Sequence, residues 1–502
     1  GNFSIIIKKG TNIYFFVDNM GIYKLYYSLI EREITITNIF YNLAKNMENN
    51  LTINEQSLLE DSFQYSILGE ETFVNEIKRV SGNYIYKYDL IKKELLLIEK
   101  ELNIEGYNHE DIEKSAKYLS SIIKDKIKII NNNFNNITIN MTGGLDSRLI
   151  LSAFLSEGIK PNITYGIGDS PLTNTKDKDL ALNEIYAEKF KLKFHKMNWK
   201  TKKNFIEDWD YLLEKYGEYY ILYSGNINIF EEYENNVSKF TDFIEFGYFG
   251  ETLRNIEKLE NSKSIFDIDY YIENLYLYNL TNLEKFLVNP INYKYEIKEK
   301  LNKILSHFNL NSKELNQKNF QKIHTEYRKS ADSKMSNIQN QIMYSCVILS
   351  DYEIQEFVND IPFEWKKDAK FMLKVINNLE PEVLKIPFFS HTKDWVFDEK
   401  NFKLVPKNKH TIKNAIKRII KNKTVYYSLK KIYNFFKQNK NEKNNIKYYK
   451  NDLVKEVSFL QKELDIKLIY PDKYEGDIRA LMRYYQNLYM LKKFLKINDL
   501  EE

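Results

Sequence analysis

Between residues 137 and 151 the hydrophobic period of the chain changes. Ile137, Ile139 and Met141 alternate with Thr138 and Asn140 as in a half-buried strand, whereas Leu145, Leu149 and Ile150 recur at helical spacing. Thr142, Gly143 and Gly144 stand between the two patterns. The stretch therefore reads as strand, glycine loop and helix. Two successive glycines let the backbone turn with its amides facing one point, and the helix adds free N–H groups and its positive dipole end. Such a turn holds anions. Thr142 and Ser147 can add hydroxyl donors, and Asp146 can hold a divalent metal against phosphate oxygens.

Elsewhere the pattern divides the chain. Residues 3–101 read as short strands, with Ile5–Ile7, Tyr14–Val17, a turn at Asp18–Gly21 and Lys24–Tyr27, the last two runs expected to pair as a hairpin. A helix ends within 61–68 and another strand follows at 83–88. A helical run at 109–130 leads to the glycine loop. Strands at 162–168 and 192–199 flank a helix at 180–190, and this alternation predicts a parallel, doubly wound sheet with ligands at the carboxyl ends of its strands. A second strand-to-glycine-loop transition spans Asp242–Arg254, containing Gly247, Tyr248, Phe249, Gly250 and Glu251. Residues 256–386 read mostly helical, and 477–495 form an amphipathic helix.

The segment 403–450 is strongly basic. Ile412, Ala415, Ile416, Ile419 and Ile420 give one apolar face, and Lys413, Lys417, Arg418 and Lys421 the other. Two readings fit: a surface for an anionic partner such as a membrane, a phosphorylated carrier or a nucleotide sugar, or a solvated helix packed on its own domain. Residues 438–450 read as a loop.

Composition narrows the classes. A chain of 502 residues has length for two to four domains, and a net charge of +4 gives no global argument for nucleic acid. Cys346 is the one cysteine, which excludes an intramolecular disulfide and a thiolate cluster. The six histidines form no H-x-x-x-H or H-E-x-x-H pair, against a zinc site. Without an apolar run of roughly 18 residues or the order of a signal peptide, the expectation is a cytoplasmic protein.

The first loop is neither a Walker loop nor a dinucleotide fingerprint. It resembles the S-G-G-x-D-S pyrophosphate loop of the asparagine synthetase-like family, with Thr142 in place of the first serine. Asp18, Gly21, Leu25, Tyr26 and Tyr27, then Gly69, Thr72 and Phe73, resemble that family's N-terminal glutaminase domain, an N-terminal-nucleophile sandwich of two sheets. The nucleophilic cysteine of that domain has no counterpart at Gly1, Asn2 or Phe3. The resemblance implies a retained scaffold without glutamine hydrolysis, as in β-lactam synthetases and lasso-peptide cyclases.

It further implies an α/β protein with a degenerate glutaminase-like domain over 1–105 and, over 106–502, an ATP-pyrophosphatase synthetase domain of adenine-nucleotide α-hydrolase type. Thr142, Gly143, Gly144 and Ser147 would hold pyrophosphate. Asp146 and Glu251, one from each loop, would hold Mg²⁺. Gly247 and Gly250 would bind the nucleotide phosphates as part of the family's second phosphate loop. Residues 164–168, including Gly166, match the adenine pocket, and Asp179 matches the acid that precedes the next helix; a core strand and an exposed helix start explain these two equally. Tyr248 occupies the place of the catalytic tyrosine of β-lactam synthetases, or is an aromatic packed at a strand end. The acid partnering that tyrosine would fall near Tyr344, and the lysine that steadies pyrophosphate at Phe388, a catalytic role that nearby Lys393 would take. The implied activity is AMP-forming amide ligation with ATP and Mg²⁺, joining a glycan uronate or small carboxylate to an amine. The alternatives are a lasso-peptide cyclase and an inactive nucleotide-binding relative.

Overall fold

The computed structural model describes residues 2–47, 51–101, 107–168, 176–199, 205–217, 228–254, 265–277, 280, 282–389, 394–406 and 442–495. It is a mixed α/β structure built on a parallel sheet with many helices.

Five parallel strands form the central sheet in the spatial order Phe194–Trp199, Asn162–Gly168, Ile137–Asn140, Phe243–Phe246, Tyr344–Cys346. The order runs outward in one direction from Ile137–Asn140 and then reverses to Phe243–Phe246. A crevice opens at the carboxyl ends of strands where the order reverses, which is where doubly wound sheets bind ligands. Both glycine loops leave from these two neighbouring strands.

Successive strand residues face opposite sides, and here each side has its own core. Ile137, Ile139 and Phe243 join a cluster with the helices Ile112–Asn133, Leu145–Ser156 and Lys370–Leu379. Ile244 and Phe246 join a second cluster that includes Phe230 and Tyr233. A parallel sheet covered on both faces needs unbroken apolar strands, and Phe243–Phe246 is buried throughout. Its one acid, Glu245, accepts the Ile348 N–H at 2.9 Å, and burial pushes its carboxyl well above the usual carboxylate range.

The N-terminal residues form two antiparallel sheets. Ser4–Lys9, Asn12–Val17, Tyr84–Asp89 and Glu94–Glu99 make one; Glu33–Thr37, Tyr26–Ile30 and Lys78–Arg79 make the other. Phe15, Val17, Leu25, Val80, Tyr86 and Tyr88 fill the space they enclose. The hairpin expected between Tyr14–Val17 and Lys24–Tyr27 does not form, because those runs lie in different sheets. Asn12–Val17 pairs instead with Ser4–Lys9. The cause is Asp18, whose buried carboxylate gathers the N–H groups of Phe3, Met20, Ile22 and Tyr23 and redirects the chain.

Residues on both sides of position 105 share a core. Phe40 meets Phe494 edge-on at 5.4 Å, Phe63 stacks on Tyr484, and Asp61 accepts from Arg483 and Asn487. The C-terminal helix Ile478–Phe494 begins at Asp477, whose carboxylate caps the Arg479 N–H. Within the basic segment, Lys403–Pro406 is a strand, and 442–450 belong to the helix Glu442–Glu463 rather than to a loop. The proposed amphipathic run at 412–421 lies outside the described residues. No described helix is long and apolar enough to cross a membrane.

Candidate functional site

The first loop is folded by its own side chains. The Thr142 N–H donates to Ser147 Oγ at 3.1 Å, the two hydroxyls lie 3.0 Å apart, and Gly144 N–H reaches Thr142 Oγ1 at 3.3 Å. Ser147 is buried, whereas Thr142 is exposed. Ser147 thus holds the loop's shape, and Thr142 presents its outer edge. Gly144 starts the helix Leu145–Ser156 without a side-chain cap.

Asp179, expected beside the adenine pocket, braces the loop. Its Oδ1 accepts the Gly143 N–H at 2.9 Å and its Oδ2 the Tyr165 hydroxyl at 3.0 Å. A methyl on Gly143 would collide with that carboxylate, so the close approach requires glycine. Asn183, one turn on, donates to the carbonyls of Met141 and Asp179. Gly166 lies within Asn162–Gly168, in register with Met197 of the neighbouring strand.

The second loop lies directly on the first. A Cβ on Gly247 would stand 2.6 Å from the Ser147 nitrogen, and one on Gly250 would stand 2.5 Å from Asp146 Cβ and Cγ. Phe249 is buried and adopts φ 66°, the left-handed conformation that glycine takes readily, with its ring anchored in the core. Tyr248 is half-buried and stacks on Phe246, centroids 5.6 Å apart at 7°.

The loops carry the two acids in different surroundings. Asp146 receives a two-pronged bond from Arg254, Nε to Oδ1 and Nη2 to Oδ2, each 3.1 Å. Glu251 Oε1 lies 3.8 Å from His324 Nε2. His324 belongs to the helix Gln317–Ile342, which grips the second loop: Gln321 one turn earlier donates to the Thr252 carbonyl at 2.9 Å. Gln321 in turn accepts from buried Lys366, whose ammonium burial pulls well below its ordinary range.

Nothing in the sequence pattern singled out Arg254, His324, Gln321 or Lys366. Arg148 was also missed. This fully buried residue donates to the carbonyls of Ile386 at 2.7 Å and Pro387, reaches Gly143 O at 3.4 Å, and stacks its guanidinium 3.8 Å from the Phe388 ring. Burial pulls it down to about 10. It ties the glycine loop to the segment around Phe388, where the resemblance placed a lysine. Lys393 lies outside the described residues, and Tyr344, the position expected for an acid near Tyr248, is 70% exposed on the edge strand.

Two carboxylates from touching loops, beside an uncapped helix start, make a donor set that suits Mg²⁺ when phosphate oxygens complete its shell. Among the described residues no three His, Cys, Asp or Glu side chains gather into a closed metal cage. Asp146 and Glu251 are the residues here that could hold a cation together with a phosphate ligand.

No family model matches the chain, and no curated protein matches it. The solved structures that match include glutamine-dependent NAD+ synthetase from Acinetobacter baumannii in complex with ADP, at 14% identity and a TM-score of 0.19. The match covers 38% of this chain and 39% of that one, so the chain spans well under half of its length, and a likeness at this level carries neither fold nor function.

Proposed function

We propose that the chain is an ATP-dependent ligase that adenylates a carboxylate and passes the acyl group to an amine. The observation that carries this reading is the contact of two glycine loops at the reversal of strand order, with Asp146 against Gly250 and Glu251 next along the second loop. A carboxylate oxygen attacks the α-phosphorus of ATP and the α–β anhydride bond breaks; an amine then attacks the acyl carbon and AMP leaves. The uncapped amides of the helix Leu145–Ser156 and the hydroxyl of Thr142 receive the departing pyrophosphate. Asp146 and Glu251 would hold Mg²⁺, which neutralises the phosphate charge. Tyr248, in the second loop, would hydrogen-bond the amine. The carboxylate is a glycan uronate or a small metabolite.

Magnesium-dependent ATP–pyrophosphate exchange, surveyed over uronic acids and other small carboxylates, tests the reading. Exchange stimulated by one of them, and lost in Asp146→Ala and Glu251→Ala, is the expected result. A wild-type protein that neither binds pyrophosphate nor exchanges with any carboxylate in the panel is not such a ligase.

A further inference from the structure

The carboxylate best placed to hold a metal is already engaged. Arg254 meets both oxygens of Asp146 with the planar fork of its guanidinium, at 3.1 Å on each side. Its backbone N–H closes the Gly250–Leu253 turn on the Glu251 carbonyl at 3.3 Å, so the arginine is fixed to the loop that carries the second acid. Neither side chain is sealed off, at 37% and 24% exposure, so the pair can part without unpacking a core. Asp146 also sits in the first turn of a helix, where the dipole supplies further positive potential.

We propose that Arg254 is a phosphate-binding residue of this site, held on Asp146 until a divalent cation takes that carboxylate. The inference rests on the ligase reading and adds a residue to it. A divalent ion on Asp146 and Glu251 with the guanidinium still in place would crowd two cations and the helix dipole around two carboxylates, leaving the site with excess positive charge. Without a nucleotide the two cations compete. Pyrophosphate or ATP supplies the missing anions, and its oxygens match the guanidinium fork as a carboxylate does. Arg254 then moves from carboxylate to phosphate while remaining on the same loop. By linkage, metal and phosphate bind together more tightly than either alone.

The test uses the full chain and two probes. Mn²⁺ is titrated into metal-free protein and free ion is read by electron paramagnetic resonance; pyrophosphate binding with Mg²⁺ is read by calorimetry. In Arg254→Gln, Mn²⁺ alone should bind about tenfold or more tightly than in wild type, while pyrophosphate with Mg²⁺ should bind about tenfold or more weakly, the scale of one lost charged hydrogen bond. Arg254→Lys, which keeps the charge but not the fork, should fall between. Asp146→Asn releases the guanidinium independently, and in chelator it should bind pyrophosphate more tightly than wild type. If Arg254→Gln leaves both affinities unchanged, or does not fold while Asp146→Asn shows no gain, the pair is structural and the inference fails. That failure leaves pyrophosphate binding by the wild type intact, whereas a wild type that binds none overturns the ligase reading as well.

Discussion

Gly250 shows how much one missing methyl group decides. Its Cα faces Asp146 so closely that an added Cβ would stand 2.5 Å from Asp146 Cβ. Gly250→Ala must therefore push the carboxylate or the loop aside, and a displacement near 1 Å at a reacting centre lowers rate by about 10²-fold. The expected outcome is ATP–pyrophosphate exchange reduced on that scale, with overpacking costing about 1–3 kcal/mol in a denaturant melt. Full exchange in the variant would show that the two loops do not cooperate. Tyr248 invites a cleaner dissection. Its ring stacks on Phe246, and Tyr248→Phe preserves that packing while removing the phenol. If the phenol serves the amine, exchange survives and amide formation falls by about 10²–10⁴-fold; equal survival of both half-reactions returns Tyr248 to a packing role. At this scale the glycines and the acids were legible because they follow a strand within a few residues. Their partners were not: Arg254 lies 108 positions from Asp146, and no local pattern marks that pairing.

At the scale of elements, hydrophobic period located the strands and helices around the first loop within a few residues. The helix expected at 109–130 spans Ile112–Asn133, set by Asp111, whose carboxylate caps the Lys114 N–H. The failed hairpin at 14–27 has a tertiary cause, since the run is redirected by a buried carboxylate and its strands find partners elsewhere. Strand Phe243–Phe246 carries a testable consequence of burial. Glu245 has its carboxyl pushed well above the usual 4.5, so the folded state favours the protonated form. Its contribution to stability is complete below about pH 4.5, where it is protonated folded or unfolded, and is lost as pH rises towards the elevated folded-state value. Glu245→Gln keeps an acceptor for the Ile348 N–H and removes the titration. Thermal melts should coincide with wild type near pH 4, and the variant should melt higher at pH 8; a difference constant with pH would refute the assignment to Glu245.

Across the whole molecule, the N-terminal sheets are joined to the central sheet rather than hung from it. Asn2 Oδ1 accepts the Val347 N–H at 2.9 Å and the Cys346 thiol, and Asn2 Nδ2 donates to Ser350. Tyr23 adds hydrogen bonds to Asn340 and to the Ser345 carbonyl. Cys346 is thereby occupied, and burial with nearby Glu245 pushes its thiol far above the usual range. A thiol held protonated cannot serve as the nucleophile of glutamine hydrolysis. The purified chain should release no glutamate from glutamine, with or without ATP, and an amine supplied directly should support product formation. Glutamate production, checked by a coupled dehydrogenase assay, would overturn this.

Sequence by itself determined the local events: where alternation gives way to helical spacing, where two glycines allow a tight turn between strand and helix, and which acids stand beside those turns. These depend on a few neighbouring residues, because backbone freedom and hydrophobic period act over one or two turns. Tertiary structure decided the rest. It placed Phe243–Phe246 next to Ile137–Asn140, which brings two loops distant in the chain into contact. It set Asp179 to brace Gly143, Arg148 to bind the carbonyls beyond Val383, and Arg254 to hold Asp146. Those contacts join residues far apart in the chain, and a buried or half-buried charge takes whatever partner the packing brings within hydrogen-bonding distance.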